Sequence, residues 1–166
     1  MDTLAGFLIF CQALGALTGA VWAVWGEIGY LRAIRDGHID RAERRHLDAL
    51  ARGLRFGMVL ILLASLGLVI HAYNVGTTLQ PALTASYWSF ILLALLIILV
   101  TWALSRRKIS FALGSAALFT AWWLMVYLTF GRLPPLTLGA SIALYVVATG
   151  ALYMVLRSVR FLLASK

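Results

Sequence analysis

One carboxylate stands inside an otherwise apolar run. Glu27 follows Val24-Trp25-Gly26 and precedes Ile28-Gly29-Tyr30. An acid at membrane depth is expensive to desolvate, so it marks either a paired lock or a working group. A hairpin centred near residue 41 places Glu27 level with Arg55, which makes Arg55 the expected partner and Arg52 the next. Three readings are open for the carboxylate. It can lock the first two helices as a structural ion pair. It can act as a proton- or cation-coupled carboxylate on a transport path. It can also sit solvated at the interface.

His71 is the second candidate, a histidine at the far end of an apolar run. The same hairpin symmetry puts Cys11 and Gln12 level with it. Thiolate and imidazole together suit a soft metal such as Cu(I). A single histidine can also serve as one axial ligand to haem b, although no second histidine lies within an apolar run. The bland alternative is an imidazole hydrogen-bonded to Gln12 or to interfacial water. The lone cysteine excludes an intrachain disulfide and a thiolate metal cluster. No HExxH, CxxC or phosphate-loop motif and no hydrolase constellation is present, so no reaction is legible.

The elements that must position these residues follow from hydropathy. The 166-residue chain is 63% hydrophobic and 12% charged. A water-soluble domain carries roughly a quarter charged residues, so the natural solvent of this chain is lipid. Continuous apolar runs of about 20 residues point to helices rather than to a barrel of alternating strands. The expected fold is all-α: one polytopic bundle of five transmembrane helices, with spans at about 4–30, 54–73, 87–104, 109–130 and 135–157. A helical hairpin tip over 31–53 joins the first two. Asp36-Gly37 reads as a helix stop. Asp40 with Glu43 three residues on reads as an acidic capping box, so the second helix starts near Arg41. Pro135 suits the first turn of the fifth helix.

The charges fix an expected orientation. The stretch 27–57 holds five of the six acids and seven of the fourteen bases. With five spans, thirteen of those bases fall on one side and only Arg132 on the other. The positive-inside rule then predicts an N-out, C-in arrangement in a cytoplasmic (inner) membrane. The net charge of +8 is gathered at span ends, which suits anionic lipid headgroups and not nucleic acid. Along the first span, Gly15, Gly19, Ala23 and Gly26 form a small-residue stripe on which another helix can pack closely.

The small-residue first span, the segment Leu31-Arg32-Ala33-Ile34-Arg35-Asp36-Gly37-His38-Ile39-Asp40-Arg41-Ala42-Glu43-Arg44-Arg45-His46-Leu47 and the following apolar span resemble the first hairpin of uncharacterised bacterial copper-resistance-D-like membrane proteins. The resemblance implies a multi-pass fold and a haem or metal ligand, often a histidine early in the first span. Here that region reads Phe10-Cys11-Gln12-Ala13, without histidine. The leading expectation is therefore a non-enzymatic, cofactor-free integral membrane protein. It would transport or bind a small solute, or serve as a small subunit of a membrane complex, acting as a homo-oligomer or with partner chains. The alternative is a haem- or copper-binding redox protein centred on His71 and Cys11.

Overall fold

The computed structural model describes residues 3–36, 41–76, 81–132 and 136–164. All five expected spans are helices: α1 (Thr3–Asp36), α2 (Arg41–Val75), α3 (Ala85–Ser105), α4 (Phe111–Thr129) and α5 (Leu138–Ala164), with a 3-10 turn at Pro81–Leu83. Each contains a window long and apolar enough to cross a membrane. Helix is the form that such sequences take in lipid, because every backbone N–H and C=O finds its partner within the segment. Large apolar side chains cover the outside, among them Phe7, Phe10, Leu63, Val147 and Phe161. That inverted surface fits a multi-pass membrane protein.

Local chemistry sets the helix ends. α1 stops at Asp36 and α2 begins at Arg41, as expected; the cap residues Gly37 and Asp40 lie outside the described residues. Thr84 caps α3 by accepting from the Tyr87 backbone N–H, and Ser110 caps α4 by accepting from Leu113. α5 begins at Leu138, and Pro135, expected in its first turn, lies outside the described residues. The Thr137 hydroxyl accepts from Ala140 N–H, so a side-chain cap starts this helix. At the end of α4, Gly131 N–H bonds to Leu128 C=O and Arg132 N–H to Tyr127 C=O. Gly131 is left-handed there, with φ 61°. α3 closes with the same bond pattern through Arg107 and Lys108, but Arg107 takes the left-handed position at φ 54° without being glycine.

α1 is the hub. It packs along α2 and against α4, while α3 and α5 gather around α4 and α2 scarcely touches α3. Ala16, Ala20, Ile61, Phe90, Trp122 and Met125 form the centre. Gly15 and Gly19 of the small-residue stripe lie at close contacts with neighbouring helices. A Cβ on Gly57 would meet Gly15 C=O at 2.9 Å, so backbones approach closely there. Gly19 makes room for the ring of Trp122, which is wholly buried. Ala23 packs against the core.

The register of the first hairpin differs from expectation. Gln12 Nε2 donates to Ser65 Oγ at 3.1 Å, Leu8 lies against Gly67, Gly15 against Ile61 and Trp22 against Gly53. These pairs centre the hairpin about three residues before position 41. The reason is the break between Asp36 and Arg41, which sets the midpoint of two antiparallel helices.

The close crossing can be tested. Gly57→Ala should lower the unfolding free energy of detergent-solubilised protein by about 1–3 kcal/mol, because the added methyl meets backbone rather than a side chain that can move. Gly6→Ala, with nothing within 4 Å of the added carbon, should be neutral or slightly stabilising. Thermal melts of the two variants beside wild type decide this; equal behaviour would contradict the packing.

Candidate functional site

Glu27 lies in the last third of α1 with its side chain 9% exposed, facing Arg160 of α5 at 11%. Arg160 Nε donates to Glu27 Oε1 at 3.0 Å, and Nη2 donates to the same oxygen. Nη2 also donates to Ser115 Oγ at 2.8 Å. Ser115 in turn donates to Ala112 C=O within α4. One guanidinium thus ties α1, α4 and α5 together. A buried pair of this kind is tolerable because charge and hydrogen bonds are matched; either partner alone would be left desolvated.

This corrects the expected pairing. The ion pair of Glu27 is with Arg160, and neither Arg55 nor Arg52 takes that place. With the hairpin centred earlier, Arg55 stands about six residues, or ~9 Å along the axis, beyond the level of Glu27. Arg55 is exposed and makes no hydrogen bond or ion pair with any described residue.

A cavity of about 530 Å³ lies where α2 and α3 stand apart. Glu27, Arg55, Thr101, Ser105 and Ser115 supply its polar wall. Met58, Ile97, Trp102, Phe111 and Trp122 are among the residues of its apolar wall. Gly26, the last of the small-residue stripe, lines it too. Ile98 and Trp102 are exposed on the apolar flank of the bundle, and Arg55, Ser105 and Phe111 are exposed too. The hydroxyl protons of the cavity are already committed. Thr101 donates to Ile97 C=O and Ser105 to Trp102 C=O, each at 2.7 Å. What remains on those oxygens is acceptor capacity. The indole Nε1 of Trp122 is a buried donor without a partner among the described residues.

The second candidate pair is not assembled as expected. Gln12 bonds to Ser65, so Cys11 is level with that part of α2, and His71 lies about six residues further on, ~9 Å along the helix. Cys11 is a half-buried free thiol and His71 is half-buried. Neither lines the cavity. Among the described residues no three His, Cys, Asp or Glu side chains come close enough to hold a metal.

Sequence reasoning passed over Arg160 and Ser115. With a fifth span ending near 157, Arg160 counts among the bases at span ends, yet Phe161-Leu162-Leu163 follow it. A basic residue with apolar sequence on both sides belongs within a span and needs a partner there; that signal was available. Ser115 carries no such signal. The chain matches no family model, no curated protein and no solved structure, so what the site can do is argued from its geometry.

The pairing makes a direct prediction. Arg160→Leu should destabilise the protein by about 3–5 kcal/mol by stranding the Glu27 carboxylate. Arg55→Gln should stay within about 0.5 kcal/mol of wild type. Thermal unfolding in one detergent measures both, and an Arg55→Gln loss as large as that of Arg160→Leu would overturn the assignment of the partner.

Proposed function

We propose that this chain is a non-enzymatic multi-pass protein of a bacterial-type cytoplasmic membrane. It binds or transports a small solute in the cavity between α2 and α3. The single observation that carries the reading is the cavity itself. Its volume falls within the about 300–1,000 Å³ typical of small-molecule sites, and its wall is mostly apolar with a few convergent polar groups. The Glu27–Arg160 pair stiffens one wall, so the site is held ready rather than formed on binding.

The orientation proposed is N-out and C-in. The support is the gathering of basic residues at one end: the α1–α2 tip, Arg106-Arg107-Lys108 between α3 and α4, and Arg157 with Arg160 near the end of α5. That end would meet anionic headgroups, and the cavity lies near it. A homo-oligomer or a place in a larger membrane complex fits α5, whose apolar window has no buried residue.

Two measurements test this. Thr101→Phe puts a ring into the cavity from an exposed position on α3. Organic extracts of purified wild type should contain a co-purifying small molecule in near-stoichiometric amount that Thr101→Phe lacks. Identical extracts would remove the support for a solute site. For the orientation, a fluorescent protein fused after Lys166 should mature, and a periplasm-dependent phosphatase inserted after Arg132 should be active. The reverse pattern would invert the topology.

A further inference from the structure

We infer that the ligand of the α2–α3 cavity is a single-chain amphiphilic anion, its charged head held by Arg55 and its apolar body lying along Met58, Ile97 and Trp102. This rests on the reading of the cavity as a solute site and adds the chemical class of the solute.

The argument starts from charge. Glu27 is the one acid on the cavity wall among the described residues, and Arg160 already matches it through two hydrogen bonds. Arg55 therefore leaves the wall with one positive charge in excess. It is exposed and has no ion pair among the described residues. A guanidinium beside an apolar cavity is poorly hydrated on that side, and a carboxylate or phosphate oxygen is its best complement.

Hydrogen bonding points the same way. The Arg55 guanidinium is a cavity-lining donor group with no partner among the described residues. It has no acceptor role. The ligand it favours carries acceptors at one end.

Shape supplies the rest. The remaining wall is largely apolar, and its residues Ile98 and Trp102 are exposed on the apolar flank of the bundle between α2 and α3. A solute that reaches the cavity from that flank travels within the bilayer. A single alkyl or isoprenoid chain fits about 530 Å³. A two-chain lipid could seat its headgroup and one chain with the other left outside. The shared chemistry is an anionic head on an apolar chain, and its source is either a free acid or an anionic lipid.

The test uses the full-length protein in nanodiscs of zwitterionic lipid. It is titrated with a fluorescent single-chain fatty acid, the matched alcohol and the matched amine. The acid should bind about 10-fold more tightly than the alcohol, the difference one charge-assisted hydrogen-bonded contact makes. Arg55→Gln should bring the acid down to the level of the alcohol, and Arg55→Lys should keep most of the preference. Thr101→Phe should abolish binding of both. Displacement of the acid probe by phosphatidylglycerol identifies the lipid headgroup as the source, and its failure identifies a free acid; both fit the anionic assignment. Equal binding of acid and alcohol, tighter binding of the amine, or indifference to Arg55→Gln would overturn the anionic assignment and leave the cavity reading standing. Binding of every probe unchanged in Thr101→Phe would overturn the cavity reading itself.

Discussion

The contact between Glu27 and Arg160 is the constraint on which the arrangement of this bundle turns. Neither charge could remain nine-tenths buried alone. Their union crosses the longest stretch of chain of any described side-chain hydrogen bond and joins the first helix to the last. α5 depends on it more than any other helix. It buries no residue of its apolar window and packs chiefly on α4. Two weaker polar contacts assist: Ser89 donates to Ser141 at 2.9 Å and Tyr145 donates to Ala117 C=O at 3.4 Å. In an apolar surround these bonds define where α5 sits, because lipid rewards no particular apolar face over another.

The small residues on α1 set the other half of the geometry. Backbone contact at Gly15 and Gly57 draws α2 onto one flank, and the space above Gly19 admits Trp122 from α4 on another. With α1 between them, α2 and α4 are held on different sides. α3 packs on α4 and so stands away from α2. The cavity is the consequence of that separation. It is a feature of how four helices are placed, with Arg55 on one bank and Thr101 and Ser105 on the other.

This arrangement divides the charged residues into two kinds. Arg160 is structural: its hydrogen bonds satisfy Glu27 and Ser115 and bind three helices. Arg55 has no such duty among the described residues and faces the cavity. In a chain with few charges, an arginine that the fold does not use is the group most available to a ligand. The proposed solute chemistry follows from that division.

The five helices, their approximate bounds and the packing role of Gly15, Gly19 and Ala23 were legible in the sequence. Continuous apolar runs admit one backbone solution in lipid, and a missing side chain can be read directly. The stop at Asp36 and start at Arg41 also contained the hairpin midpoint, although the symmetry taken about residue 41 misplaced it and so paired Glu27 with Arg55 and Cys11 with His71. The partnership of Glu27 with Arg160 lay beyond such reasoning. Hairpin symmetry relates only neighbours in the chain, and this pair is 133 residues apart. Only the packing of α5 against α4 beside α1 brings the two charges within hydrogen-bonding reach. The cavity likewise exists only in three dimensions, because it is bounded by residues of four helices and created by two of them failing to meet. Hydropathy acts along one chain segment at a time and decides which segments become helices; the placement of those helices is decided by close contacts and matched charges between segments far apart in sequence.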